Sequence, residues 1–279
     1  MTSLSPTIQL FLKQYRLAFD KSIPLEDFKD YYLSLSSEDK QTILQFYNQQ
    51  KSNQLLSNLD HHLLMFKFLI EQNFDYNKLT LNQQSLLIFM IKNEKWNFVD
   101  YLLKQPNINI HYAKKNPEGN PIGDNALCFA VDKGHFSTVQ KLYNLGADPL
   151  YLNENKIPIL LFSLKSNPDI SYNNSYIDCF FFLAQKEEVQ KQIQNNKSFQ
   201  HLLFFYAVKN TKPSFLEVVF EFFLPDENIF KKVHEILTKE SKSIIGYEEN
   251  LIIFEKVYQK SYLEKQLKYK NTTNQIVKI

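Results

Sequence analysis

Apolar residues recur every three or four positions along most of the chain, which is the spacing that places side chains on one face of an α-helix. The clearest stretch runs from 124 to 149, DNALCFAVDKGHFSTVQKLYNLGADP. Asp124 or Asn125 can cap a first helix there by accepting its unpaired backbone N–H groups. The apolar positions are Leu127, Ala130 and Val131 in that helix, then Phe136, Val139, Leu142 and Tyr143 in a second one. The pattern therefore predicts two short helices joined by a tight turn.

Two glycines end these helices, Gly134 and Gly146, where the chain must turn left-handed without a Cβ clash. This stretch resembles one ankyrin repeat, whose pattern opens with Thr-Pro-Leu-His, places Gly-His between the helices and closes with Gly-Ala-Asp. The opening here is NALC from 125 to 128, which departs from the pattern at three of its four positions. Gly134-His135 and Gly146-Ala147-Asp148 match the other two signatures.

Weaker units lie in phase on both sides of this repeat. One opens at Ser85, and counting back by the ankyrin period of about 33 residues reaches another at Ser52. Asn73 stands where that earlier unit should close, and asparagine is the next best residue after glycine for a left-handed cap. Downstream, a unit opens at Ile157 with proline at its first helical position and a second helix over 176–185. A fifth unit is predicted over His201–Asn210 and Ser214–Phe223.

The two ends of the chain do not follow this period. Three helices are predicted before residue 51, over Pro6–Asp20, Pro24–Leu35 and Ser36–Gln50, and two after 225, over Asp226–Glu240 and Gly246–Tyr269. We therefore expect an all-α fold, a helical solenoid of ankyrin-type helix-turn-helix repeats. Its expected parts are an N-terminal helical cap over 1–51, degenerate repeats over 52–224 that are clearest over 85–150, and a C-terminal helical cap with a basic tail over 225–279.

Composition narrows the function classes. The formal charge is +2 and Arg16 is the only arginine. Nucleic-acid binding proteins usually have a large positive charge and arginine side chains that bind phosphate and guanine, so this composition does not favour a nucleic-acid partner. No apolar run approaches the roughly 20 residues of a membrane helix, and the N-terminus lacks the features of a signal peptide. The two cysteines, Cys128 and Cys179, lie in apolar runs, as is typical of a reducing compartment. We expect a cytoplasmic protein.

No motif for chemistry occurs. With five glycines the chain has no phosphate-binding loop, and the strong metal-ligand spacings are missing. His61 and His62 beside Asp60 lack a nearby third ligand, and Cys128 is interpreted as a packed thiol. The resemblance implies that His135 makes a structural hydrogen bond between repeats. We expect no catalytic residue, no metal site and no cofactor.

The resemblance implies that another protein is bound by the elbow loops and by the exposed side of the first helices, on the concave face. Carried onto this chain, the partner-binding residues are Tyr76, Asn77, Lys92, Tyr112, Lys114, Lys115, Asp132, Lys133, Asp148, Tyr151 and Asn153. The segment His111–Asp124 is about seven residues longer than the usual period requires. We expect it to project as a finger that contributes to binding.

The predicted function is therefore protein–protein interaction. The Lys-, Asn-, Ile- and Phe-rich composition together with the repeat also resembles the ankyrin-repeat effectors that intracellular bacteria deliver into host cells, which would place the protein in the host cytosol. Two alternatives stay open. One is a membrane- or lipid-associated scaffold that uses the Lys-rich C-terminal helix, and the other is an enzyme with a site in the nonrepeat ends.

Overall fold

A computed structural model describes residues 4–49, 54–80, 82–115, 117–118, 123–153, 155–164, 175–210, 213–240 and 247–276. Helices form the regular structure of these residues, and two isolated bridges, Leu79–Ser85 and Leu152–Pro158, join short extended stretches. The all-α prediction is confirmed. The chain divides into two compact units, Met1–Phe129 and Ala130–Ile279.

The helices that begin in the first unit are α1 (Pro6–Phe19), α2 (Leu25–Ser34), α3 (Ser37–Gln49), α4 (Gln54–Ser57), α5 (Leu63–Glu71), α6 (Leu86–Lys92), α7 (Trp96–Leu102) and α8 (Ala126–Asp132). The three N-terminal helices thus lie where the sequence predicts them. Phe11 of α1 is fully buried, with its ring centroid 5.6 Å from that of Tyr47 and 6.0 Å from that of Phe74. Because Phe74 follows α5, this aromatic cluster joins the N-terminal helices to the first helix pair of the repeats.

Polar caps start the inner helices of the repeats as the sequence predicts. Ser85 Oγ accepts a hydrogen bond from Ile88 N at 3.2 Å, and Asn125 Oδ1 accepts one from Cys128 N at 2.9 Å. Each bond satisfies a backbone N–H that has no partner within the helix. Both caps open helices of only seven residues, α6 and α8.

The second unit continues with α9 (Phe136–Asn144), a 3-10 helix (Ile159–Leu164), α10 (Ser175–Ala184), α11 (Glu187–Gln194), α12 (Lys197–Asn210), α13 (Pro213–Phe222), α14 (Glu227–Glu240) and α15 (Tyr247–Ile276). The polar stretch predicted between the 3-10 helix and α10 lies almost wholly outside the described residues. Helix α11 has no counterpart in the sequence prediction. Its Val189 and Ile193 are buried, and it packs on α10 and α12.

One register prediction is wrong. Pro158 was expected at the first helical position, but the helix begins at Ile159 and is of the 3-10 type. The bridge from Leu152 to Pro158 repeats the bridge from Leu79 to Ser85, so Pro158 occupies the capping position that Ser85 holds. Proline has no side-chain acceptor with which to cap a helix.

Residues with a left-handed backbone recur at set places in the repeats, and we call these the left-handed positions. The first place lies two residues before the position that Ser85, Asn125 and Pro158 share. Its occupants are Gln83, Gly123 and Lys156. The second lies between the helices of a pair, where Glu94 has a φ of 55° and Gly134 one of 60°.

The third place follows the second helix of each pair, and its occupants are Asn73, Asn107 and Gly146. Asn107 is one residue later than the 33-residue spacing from Asn73 would put it. Pro106 holds the aligned position, and the ring of proline fixes φ at a negative value. The left-handed turn is therefore displaced to the next residue.

Candidate functional site

Two of the predicted partner-binding residues join neighbouring elbows. Asn77 Nδ2 donates to Asn107 O at 2.9 Å, and Asn77 Oδ1 accepts from Asn109 N at 2.9 Å. The hydroxyl of Tyr76 donates to Pro106 O. Since their polar atoms are used inside the protein, these two side chains set the spacing of the elbows, and only the half-exposed ring of Tyr76 can offer contact area.

The segment from His111 is anchored at its start. Ala113 is buried, and the half-buried Tyr112 donates its hydroxyl hydrogen to Gln83 O. Burial raises the pKa of the Tyr112 phenol. Lys114 and Lys115 are exposed.

The two described ends of this segment lie side by side. A Cβ added at Gly123, where φ is +99°, would be 3.7 Å from Lys114 Cβ. Pro117 and Glu118 form part of a turn, whereas Asn116 and Gly119 lie outside the described residues. The predicted projection of the finger therefore stays a prediction.

Two aromatic residues that the sequence prediction missed lie on the inner helices of the first unit. Phe89 of α6 and Phe129 of α8 are each four residues after a cap, and both rings are half-exposed. Lys92 shares a face of α6 with Phe89, because residues three apart on a helix are neighbours. Its Nζ lies 5.1 Å from the centroid of the Phe129 ring. Phe89, Lys92 and Phe129 thus form a continuous patch, which we call the inner-helix surface.

The remaining predicted residues are in the second unit and differ in the exposure and the hydrogen bonds of their side chains. Asp132 and Lys133 are half-exposed, and Asp132 O accepts a hydrogen bond from Tyr176 Oη at 3.2 Å. Asp148 is exposed and its Oδ1 accepts from Leu150 N at 2.8 Å. Tyr151 is half-buried.

Asn153 does not present its side chain to a partner, contrary to the sequence prediction. It is 6% exposed, and its Oδ1 accepts hydrogen bonds from Asn155 N and Ile157 N at 3.0 Å each. The residue closes the loop before the 3-10 helix. We therefore leave Asn153 out of the binding surface.

The cysteine and histidine side chains considered above for catalysis or metal binding are buried or contact other side chains of the protein. Cys128 and Cys179 are buried, and burial raises the pKa of the Cys179 thiol to about 12. Asp60 contacts His61 at 3.4 Å and Lys95 at 3.8 Å. Within the described ranges, no group of three or more His, Cys, Asp or Glu side chains could hold a metal ion. His135 Nδ1 lies 2.7 Å from Thr138 Oγ1, a residue of its own repeat.

The C-terminal helix carries the basic tail. No helix of the described part is long and apolar enough to cross a membrane. Helix α15 contacts α12 and α13 through its first half, where Asn250 Nδ2 donates to Val208 O at 3.0 Å. The side chains of Lys265, Lys268, Lys270 and Lys278 lie outside the described part.

Comparison with known families gives a match within the repeats. Residues 55–153 match the family model of ankyrin repeats, in three copies. This range holds the pairs α4–α5, α6–α7 and α8–α9, together with the inner-helix surface. The match ends at Asn153, so the assignment of repeats beyond it, like the domain limits at 51 and 224, stays a prediction. No curated protein matches the chain.

Proposed function

Because residues 55–153 of this chain are ankyrin repeats, we propose that the protein binds another protein through the inner-helix surface. The observation that carries the proposal is the pair of half-exposed rings, Phe89 and Phe129, with an exposed lysine between them. Aromatic side chains are among the residues that contribute most to protein–protein affinity. Lys92 adds an exposed positive charge beside these rings.

The chemistry of this surface indicates the kind of segment it would bind. The two rings would bury apolar side chains of the partner, and Lys92 would pair with an acidic residue beside them. Such a pair at the rim steers association and selects partners more than it adds affinity. The proposed ligand is therefore an apolar protein segment with an adjacent carboxylate.

Substitution of the two rings tests the proposal. The partner is first captured by cross-linking in cell lysate, and its affinity for the purified chain is then measured by calorimetry. Phe89→Ala and Phe129→Ala should each weaken binding by about tenfold or more, the loss of a central aromatic contact. The matched control is Phe205→Ala, since Phe205 is also half-exposed and has Lys209 Nζ 4.9 Å from its ring centroid. Equal affinities for all three variants would refute this surface.

The finger at His111–Asp124 is proposed as a second contact. Its exposed Lys114 and Lys115 carry positive charges, as Lys92 does on the inner-helix surface. Trimming the segment to the ordinary repeat length should weaken the complex and leave the melting point nearly unchanged, because loop-closure entropy changes slowly with loop length. A trimmed protein that binds as tightly as the parent would remove the finger from the proposal.

We further propose that the protein is an effector delivered by an intracellular bacterium and acts in the host cytosol. Support comes from the ankyrin repeats and from a composition rich in Lys, Asn, Ile and Phe with a single arginine. A fusion to a reporter enzyme that is active only in the host cytosol provides the test. Signal that depends on the bacterial secretion system is expected, and signal that persists without that system contradicts delivery.

A further inference from the structure

An open cavity of about 410 Å³ lies in the second unit where α12 and α14 begin. Its polar lining comes from the first two turns of these two helices. The lining residues are Lys197, Ser198 and His201 of α12, with Asn228, Lys231 and Lys232 of α14. Neither helix belongs to the range that matches the ankyrin model, so the cavity is independent of the function proposed above.

The lysines of the cavity exceed its carboxylates. Lys197 pairs with Asp226, and Lys231 pairs with Glu227. No carboxylate of the described residues pairs with Lys232. Three ammonium groups therefore face two carboxylates, and the lining keeps an excess positive charge.

Other lining groups can add hydrogen bonds. His201 Nε2 is shielded from water and has no hydrogen-bond partner in the described part of the chain. The pKa of His201 is lowered, chiefly by burial and then by the charge of Lys232. Ser198 and Asn228 are exposed at the rim.

The first turn of each of these helices is capped by a side chain. Asn196 Oδ1 accepts from the backbone N of Ser198 and of Phe199, and Asp226 Oδ1 accepts from Ile229 N at 2.9 Å. A ligand would therefore be held by side chains rather than by unpaired backbone groups. Lysine ammonium groups with neutral donors around them suit the oxygens of a doubly charged tetrahedral anion.

We propose that this cavity binds a phosphate monoester group through Lys232, with Lys231 and Lys197 turning from their carboxylates toward the phosphate oxygens. The volume exceeds that of several water molecules, each of which occupies about 30 Å³ in the liquid. The cavity therefore has room for the phosphate and for part of the group that carries it. The same chemistry could come from a small phosphorylated metabolite or from free phosphate.

The test measures binding of inorganic phosphate and of glycerol 3-phosphate to the full chain at constant ionic strength. The readouts are calorimetry and the imidazole NMR signals of the histidines. Both probes should shift the His201 signals, and glycerol 3-phosphate should bind tighter if a monoester is the ligand. Lys232→Gln should weaken binding about tenfold, the effect of losing one charged hydrogen bond, and Lys232→Arg should retain it.

Helix α14 supplies matched controls for this test. Lys239 pairs with Glu235 at the same i, i+4 spacing and similar exposure as Lys231 with Glu227, but outside the cavity. Lys239→Gln should leave phosphate affinity unchanged. Glu227→Gln should strengthen binding because it releases Lys231, whereas Glu235→Gln should not.

Two results would overturn the proposal. One is the absence of any shift of the His201 signals with either probe. The other is equal weakening in Lys232→Gln and Lys239→Gln, which would show nonspecific attraction to surface lysines. Circular dichroism of each variant separates lost binding from lost structure. If Lys232→Gln were to unfold the protein, stronger binding in Glu227→Gln with unchanged binding in Glu235→Gln would still support the proposal, and unchanged binding in both would overturn it.

Discussion

Replacing Gly134 by alanine would test how the turn between the two helices of the third repeat is held. Gly134 has a φ of +60°, a conformation that costs other residues about 1–2 kcal/mol. A Cβ at this position would lie 2.9 Å from three atoms of the Tyr176 ring. Overpacking of this kind costs about 1–3 kcal/mol, so the whole substitution should lower the free energy of unfolding by about 2–5 kcal/mol.

A double-mutant cycle separates the cost of the left-handed backbone from the cost of the contact with the Tyr176 ring. Removing the ring with Tyr176→Ala leaves only the backbone cost, so Gly134→Ala should then destabilise by about 1–2 kcal/mol. Tyr176→Phe controls for the hydrogen bond that Tyr176 Oη donates to Asp132 O. Gly146→Ala controls for backbone strain alone, because no atom lies within 4 Å of a Cβ built there.

Urea denaturation followed by far-UV circular dichroism gives the free energy of unfolding for each variant. The slope with denaturant must be the same in all of them for the comparison to hold. If Gly134→Ala costs as much without the Tyr176 ring as with it, the close contact contributes nothing and the reasoning is wrong. If it costs nothing in either background, the left-handed turn itself is refuted.

Three further predictions use other residues. Asn153→Ala should lower the free energy of unfolding by about 1–3 kcal/mol, because it leaves two backbone N–H groups without their acceptor, whereas the exposed Asp148→Ala should cost less. Asn77→Ala should lower the melting temperature by removing both links between neighbouring elbows, and an unchanged melting temperature would contradict that role. The pKa of Cys179 is raised from 9.0 to about 12, so the unfolded chain loses this proton at lower pH than the folded one. The contribution of Cys179 to stability is present below about pH 9 and is lost as the pH rises toward 12. The difference in unfolding free energy between the parent and Cys179→Ala should therefore be constant below about pH 9 and change between pH 9 and 12.

Much of the helical framework follows from local chemistry in the sequence. Ser85 and Asn125 cap helices, and Gly134 and Gly146 adopt the left-handed conformations expected of them. Helix α11 escaped prediction because its sequence, EEVQKQIQ, has only two apolar residues. These two are four positions apart, and that spacing was the available signal.

The proposed binding surface was harder to predict because exposure depends on neighbouring helices. Phe89 belongs to LLIFMIK, a helix with six apolar residues in seven, so periodicity cannot tell which ring stays accessible. The tyrosine and asparagine of the first elbow look like contact residues in sequence. In the fold, Tyr76 and Asn77 bond to the next elbow, which only the three-dimensional arrangement of the loops reveals.

The left-handed positions have a consequence for how such a protein can evolve. Gln83, Glu94 and Lys156 keep a backbone geometry that glycine accepts without strain, each at a cost of about 1 kcal/mol or more. The left-handed turn is thus present at these sites although glycine is not. Glycine restored at these sites would be a set of consensus substitutions that leave Phe89 and Phe129 unchanged. The stability gained that way would offset destabilising substitutions elsewhere, including changes in the proposed inner-helix surface.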